Sequence, residues 1–374
     1  MVEILMQPHD ETNSKLKIMP VSEAKGQNSK LPDRYSRQTI LPQVGREGQD
    51  KLRAATVVIA GVGALGSSMA EMLARAGVGT LRLADRDYLE LHNLQRQSLY
   101  TEADIESGLP KAATAAKHIT RINSEVNVEP WIIDITPENI LDLLSANPKS
   151  KIVVLDGTDN LQTRYLLNDA CIKLGIPWVY SGVVGVSGVS LTVTPGENAC
   201  LRCLYPAMPA AGTTETCDVA GVLGPAAHAM AAVADAEAIK LIVGGEPATG
   251  LLVADLWAGS WERFEVPRNP DCVACVHHRL EYLEDEAWRR DGVRLCGRDA
   301  VQVRLATGGG KLDLPLIGAR LQNSGAGDVL ANDYLVRLRT GSNELTIFAD
   351  GRVIVKGTED AGIARGLVAK YIGM

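Results

Sequence analysis

Val57-Val58-Ile59-Ala60-Gly61-Val62-Gly63-Ala64-Leu65-Gly66-Ser67-Ser68-Met69-Ala70 is the stretch on which the fold turns. Its first four residues are an apolar, mostly β-branched run, which reads as a short buried strand. That strand meets glycines at 61, 63 and 66, and a helix-period segment comes next over Ser67–Ala76. Strand, glycine turn and helix in this order let backbone amides and a helix N-terminus approach a nucleotide phosphate. Alone, the spacing also fits a plain glycine turn. Asp85 ends the next strand, Thr80–Ala84, 19 residues beyond Gly66, where a carboxylate can accept hydrogen bonds from a ribose hydroxyl.

Outward from this unit, helix-period and strand-period segments alternate. Helices are expected at Lys111–Arg121, Asn139–Leu144 and Gln162–Lys173, and strands at Val126–Ile132, Ile152–Leu155 and Trp178–Ser181. Such alternation predicts an α/β fold: a Rossmann-like, mostly parallel sheet with helices on both faces. After Ser181 the texture changes to Gly/Val-rich strands over Gly182–Thr194, a cysteine-bearing loop, an Ala-rich helix over Ala226–Gly244 and strands within Leu251–Phe264, an antiparallel extension of the sheet. Residues 1–30 are polar and aperiodic and read as a flexible tail, 31–280 as the main domain. Residues 281–374 read as a linker and a small α+β domain. Its expected strands are Val301–Leu305, Glu344–Phe348 and Val353–Val355, with a hairpin through Asp350-Gly351 and a helix ending near Tyr371.

The 374 residues are 46% hydrophobic, enough for a sizeable core, and the net charge of -7 argues against a nucleic-acid surface. The acidic start, with Glu3, Asp10 and Glu11, lacks the pattern of a secretory leader and points to the cytoplasm. Asp235, Glu237 and Lys240 interrupt the Ala-rich helix, so it suits a core and not a membrane span.

The residues after Asp85 depart from dehydrogenase patterns. Asp87, Asn93-Leu94-Gln95-Arg96-Gln97 and Pro110-Lys111 place two cations just after the ribose-reading strand. Nucleotidyl transfer needs cations for the leaving pyrophosphate and a carboxylate for magnesium. Arg96 and Lys111 answer the first need, and Asp159, at a strand end in Asp156-Gly157-Thr158-Asp159-Asn160, answers the second. Each alone also reads as a solvated charge or a helix cap.

Cys200-Leu-Arg-Cys203 and Cys272-Val-Ala-Cys275 have the spacing of a closed four-thiolate zinc site, structural because no coordination position stays open. Cys217, in a polar segment outside both pairs, is a candidate nucleophile or an inert loop thiol. Cys171 reads as core, Cys296 has no assigned role, and His277 and His278 read as solvated.

Taken together, Arg34-Tyr-Ser-Arg37-Gln38, the glycine loop, Asn93 to Gln97, Pro110-Lys111, Thr158-Asp159-Asn160 with Arg164, both cysteine pairs and Cys217-Asp-Val-Ala-Gly221 resemble the ThiF/MoeB/HesA adenylyltransferases, relatives of the ubiquitin-activating enzymes. The resemblance covers about Arg34 to Val276, with Ala64 standing where the family often has a third glycine. It implies a homodimer that binds ATP and Mg2+ and carries Zn2+. Its expected substrate is the terminal glycine carboxylate of a ubiquitin-like sulfur-carrier protein ending in Gly-Gly, adenylated as a step in molybdopterin or thiamin biosynthesis, with a sulfurtransferase donor as a further partner. By the same resemblance Gly61, Gly63, Gly66, Asp87, Asn93 and Asn160 line the nucleotide, Asp85 holds ribose and Asp159 magnesium. Arg96 and Lys111 contact phosphates, Arg37 reaches the partner subunit's triphosphate, and Cys217 matches a crossover-loop cysteine that forms a covalent bond in some members. Three other readings stay open: an NAD-dependent oxidoreductase, a non-catalytic scaffold for a ubiquitin-like protein, and adenylation of a different substrate. The terminal segment lacks the Cys-Arg loop of a rhodanese domain, and no activity can be read from it.

Overall fold

The computed structural model describes residues 33–145, 150–209, 217–284, 293–295, 300–305 and 311–373, with backbone alone at 33, 217, 218 and 293–295. The expected N-terminal tail lies outside them. Eight strands form the first sheet: β1 (Thr56–Ala60), β2 (Thr80–Ala84), β3 (Asn127–Trp131), β4 (Ile152–Asp156), β5 (Trp178–Val184), β6 (Ser187–Val193), β7 (Leu251–Asp255) and β8 (Ser260–Phe264). Their order is β3-β2-β1-β4-β5-β6-β7-β8. Pairing is parallel from β3 through β5 and antiparallel from β5 through β8, the α/β fold with an antiparallel half that the sequence predicts.

Every residue of β1 is buried, because both sheet faces are covered. Val57 and Ile59 point into one core with the Ala64–Ala76, Lys111–Ile122 and Gly224–Val243 helices. Val58 and Ala60 point into the other, with the Ile140–Leu144 and Leu161–Leu174 helices, Cys171 and three of the four paired cysteines. The Ala-rich helix packs closely because its neighbours are small: a Cβ at Gly188 on β6 would stand 2.3 Å from Met230 Cγ. Among the described residues no helix is long and apolar enough to cross a membrane.

The chain leaves β1 for β2 on one side and returns to β4 on the other, so the strand order reverses between them. Crevices at such switch points, beyond the C-terminal strand ends, are where doubly wound sheets hold ligands. The register aligns Ala60 with Ala84 and with Asp156, which sets Gly61, Asp85 and Gly157 in a row along that rim.

A second, antiparallel sheet contains β9 (Val293–Leu295), β10 (Ala300–Arg304), β11 (Asp328–Ala331), β12 (Leu335–Thr340), β13 (Asn343–Phe348) and β14 (Arg352–Lys356), in the order β11-β12-β13-β14-β10-β9. One face buries Val301, Val336, Leu338, Leu345, Ile347, Val353 and Val355 with residues of the Leu314–Asn323 and Ala361–Tyr371 helices. The other face carries Ala300, Leu335, Phe348 and Ile354, which cluster with Tyr88 of the large domain. The expected hairpin through Asp350-Gly351 is present, Gly351 taking φ 85° where a side chain would be strained.

Candidate active site

At the switch point the glycines are fitted to one another. Gly61 has φ 83°, and a Cβ there would lie 2.8 Å from the Gly157 carbonyl oxygen. A Cβ at Gly66 would lie 1.8 Å from Gly61 O, and one at Gly157 would lie 2.5 Å from the same atom. These three positions accept glycine only. Gly63 differs: it has negative φ, its nearest prospective neighbour is Gln97 Nε2 at 3.6 Å, and it caps the Ala64–Ala76 helix without a side chain. The first-turn amides of that helix therefore face outward over a glycine, which suits phosphate. Ala64 begins the helix, three residues earlier than expected.

Asp85 ties this turn to β2. Its Oδ2 accepts from Val62 N at 2.8 Å and its Oδ1 from Asp87 N at 2.7 Å. From the other side Tyr100 Oη donates to Val62 O at 2.8 Å. Burial raises the Asp85 carboxyl above its ordinary value, with the Lys111 charge opposing. Lys111 is only 4% exposed, and its Nζ lies 3.5 Å from Asp87 Oδ2. Backbone bonds hold the two together as well: Lys111 N donates to Asp87 O at 2.8 Å, beside a bridge between Tyr88 and Pro110. A buried ammonium beside one carboxylate at a ligand crevice can turn to an arriving anion.

Asn93 is buried and uses its Oδ1 to accept from Glu90 N at 3.0 Å, as half of a reciprocal cap in which Glu90 accepts from Asn93 N. Arg96 extends from this turn and donates to His92 O at 2.9 Å. At the end of β4, Asp156 is fully buried and accepts from Thr158 N, Thr158 Oγ1 and Arg164 Nε at 2.7 to 3.0 Å. Burial raises its carboxyl and the Arg164 charge opposes that. Asp159, exposed, comes next on this rim, while Asn160 caps the Leu161–Leu174 helix through its Oδ1.

Arg37 stands apart from the other candidates. Its neighbour Gln38 donates to Ala76 O at 2.8 Å, at the far end of the helix that starts at the glycine turn. Twelve residue steps along a helix separate that end from Ala64, about 18 Å. Cys217 opens the short Cys217–Ala220 helix, and its side chain lies outside the described atoms.

The paired cysteines converge. Cys200 Sγ lies 3.6 Å from Cys272 Sγ, Cys203 Sγ lies 3.6 Å from Cys275 Sγ, and all four sulfurs fall within 4.8 Å of one another. Four sulfurs at about 2.3 Å from a tetrahedral metal sit about 3.8 Å apart, so the cluster fits zinc. Asn269 N donates to Cys203 Sγ at 3.4 Å, a contact that orients a thiolate ligand. His277 and His278 are exposed and are not members of this cluster.

Sequence reasoning passed over three contributors. Tyr100 and Gly157 shape the glycine turn, and Tyr88 carries the contact with the second sheet. A glycine directly after a strand-ending aspartate, aligned with the first glycine turn, was the signal that could have found Gly157.

A doubly wound sheet with an interlocked glycine turn at its switch point, an aspartate just past the end of β2 and a buried lysine nearby is the architecture of a nucleotide-binding α/β protein. The chain belongs to the ThiF family, whose model matches residues 35–274. The sulfur carrier protein ThiS adenylyltransferase of Bacillus subtilis is 41% identical over 347 residues, which is 92% of this chain and 100% of that protein. A sulfur carrier protein adenylyltransferase of Thermus thermophilus is 41% identical over 250 residues, 65% of this chain and 90% of that protein. Among solved structures, E. coli MccB superposes with a TM-score of 0.58 at 24% identity, covering 67% of this chain and 74% of that one, a likeness of fold. The Bacillus subtilis match is longer than the large domain, so it runs into the terminal one.

Proposed function

We propose that this protein uses ATP to adenylate the C-terminal glycine carboxylate of a ubiquitin-like sulfur-carrier protein ending in Gly-Gly, as a step in sulfur transfer for thiamin or molybdopterin biosynthesis. The observation that carries the reading is the buried Lys111 beside Asp87 at the switch-point crevice, bonded through the same segment to Asp85 and the glycine turn. An oxidoreductase would need Asp85 and the glycines but would gain nothing from burying that lysine. Family membership and the named relatives support the same reading.

In the reaction a carboxylate oxygen of the carrier attacks the α-phosphorus of ATP. The bond from that phosphorus to the bridging oxygen breaks, pyrophosphate leaves with the electron pair, and an acyl-adenylate forms with no net proton transfer. Protein groups act by position and charge. Gly61, Gly63 and Gly66 admit the phosphates, Asp85 takes the ribose, and Lys111 and Arg96 neutralise the leaving pyrophosphate. Asp159 holds Mg2+, with Asp87, Asn93 and Asn160 shaping the rim. Zinc at Cys200, Cys203, Cys272 and Cys275 is structural. Arg37, too far from its own crevice, serves that of a partner subunit in a homodimer. Cys217 is the proposed nucleophile: its thiolate attacks the acyl-adenylate carbonyl, AMP leaves with the electron pair, and a thioester to the carrier forms; the cytoplasm is the expected location.

The test is carrier-dependent ATP–pyrophosphate exchange with candidate carriers ending in Gly-Gly. Exchange with one carrier, lost in Arg96→Ala and Asp159→Ala, is the expected result. ATP binding without exchange for any carrier would overturn it in favour of a scaffold or another substrate. A Cys217→Ser protein with full thiocarboxylate yield would remove Cys217 from the chemistry.

A further inference from the structure

The second sheet turns a mixed face toward the segment that carries the nucleotide residues, apolar at Leu335, Phe348 and Ile354 and polar at Arg337, Glu344 and Lys356. Tyr88 Oη donates to Glu344 Oε1 at 2.7 Å, and Lys356 Nζ pairs with Glu90 Oε1. The Tyr88 ring meets two cations, with the Arg337 guanidinium 4.4 Å and the Lys356 ammonium 4.8 Å from its centre. At the end of the segment Asn332 Nδ2 donates to Gly108 O at 3.2 Å, and Leu330 packs so closely that a Cβ on Gly108 would come within 2.8 Å. Behind it Gln302 Nε2 donates to Asp134 Oδ2 at 3.1 Å, the carboxylate that also receives Arg86.

These grips alternate with the nucleotide positions. Asp85 and Asp87 precede Tyr88, and Glu90 caps the turn through Asn93 that leads to Arg96. Gly108 lies three residues before Lys111, and Pro110 bridges to Tyr88. An apolar interface could slide. This one is crossed by directional contacts, Tyr88 Oη to Glu344, Gln302 Nε2 to Asp134 and Asn332 Nδ2 to Gly108 O, and such contacts favour one register.

Resting on the adenylation reading, we propose that the terminal domain is a positioning element of the ATP site: Lys356 and Glu344 hold Glu90 and Tyr88, and thereby set Asp87, Asn93, Arg96 and Lys111 against the triphosphate. Neither residue touches the nucleotide. Their loss lets the segment drift, and small misplacement in a charged site is costly.

The test uses the full chain with ATP and its carrier. Lys356→Met is expected to raise the KM for ATP about tenfold or more, to leave the KM for the carrier unchanged, and to be rescued by Lys356→Arg. Tyr88→Phe, which keeps the ring and removes one hydroxyl, supplies a second reading should Lys356→Met fail to fold. A lowered melting temperature with an unchanged KM for ATP in both variants would make the domain a cap and overturn the proposal. Absence of ATP binding in the wild-type protein would instead overturn the adenylation reading beneath it, so the two failures are distinguishable.

Discussion

Lys111 Nζ stands 3.5 Å from Asp87 Oδ2, both side chains nearly closed off from solvent, at the mouth of the glycine turn. An ammonium so placed is held by Asp87 and by the charge of Asp85, and an arriving phosphate can share it. Lys111→Ala is expected to lower carrier-dependent pyrophosphate exchange about 100- to 1000-fold, the scale seen when a preorganised charge contact to a transition state is removed. Lys111→Arg should recover little of this, since a planar fork does not fit a site built around a compact charge. Exchange in Lys111→Ala within a few fold of wild type would be incompatible with the assigned role.

Glycine substitutions separate folding from binding. Gly66→Ala puts a carbon 1.8 Å from the Gly61 carbonyl, so it should destabilise the protein by roughly 1–3 kcal/mol or more and spoil the turn. Gly63→Ala, with 3.6 Å to its nearest neighbour, should melt like wild type and bind ATP more weakly, because its Cβ stands where phosphate approaches. Calorimetry and equilibrium ATP binding on both proteins decide this. Equal melting temperatures for the two variants would contradict the packing account.

About one zinc ion per chain is expected by metal analysis of the purified protein. Burial raises the Cys203 thiol to about 11, so a bound cation is what would hold it as thiolate, and metal uptake should release protons. Cys272→Ser should lose most of the metal and several degrees of melting temperature. Exchange activity per folded molecule should remain within a few fold, as a closed four-sulfur site offers no position to substrate. Full metal content in Cys272→Ser would argue against the cluster as the ligand set.

Acid should weaken the contact between the domains. Burial works to raise the Glu344 carboxyl, but bonds from Arg339 and Tyr88 and the charges of Arg337 and Lys356 outweigh it, and the folded value lies below the ordinary one. A depressed carboxylate contributes stability that is complete above its unfolded pKa and is lost as pH falls through the folded one. The melting-temperature gap between wild type and Glu344→Gln should therefore be wide near pH 7, begin to shrink near the unfolded value of about 4.3 and close only below the folded one. A gap of constant width would rule out this source of stability.

Local pattern reaches far in the large domain. The apolar run before Gly61, the period-matched helices and the two cysteine spacings each report a short-range constraint, and each stands where its spacing implies. The terminal domain is less legible. The Leu314–Asn323 helix and β11 and β12 escape notice because short amphipathic segments between polar residues resemble loops. Arg337 and Arg352 are buried, which residue type does not announce, since what covers them comes from Tyr88, Phe348 and Ile132, remote or across the sheet. Asn160 illustrates the opposite ambiguity: its side chain is occupied by a helix cap, which residue type alone cannot separate from ligand contact.

The bonds from Tyr88 to Glu344 and from Glu90 to Lys356 span 256 and 266 residues. On a translating ribosome the nucleotide segment emerges long before the strands that grip it. At synthesis rates of about 5–20 residues per second the wait is roughly 10–50 s. During that interval the nascent chain can complete its first sheet, but Tyr88 has no carboxylate to meet and Glu90 no ammonium. On the positioning role proposed above, competence for ATP comes at the end of synthesis, and a ribosome that stalls before residue 344 leaves that segment without its grips.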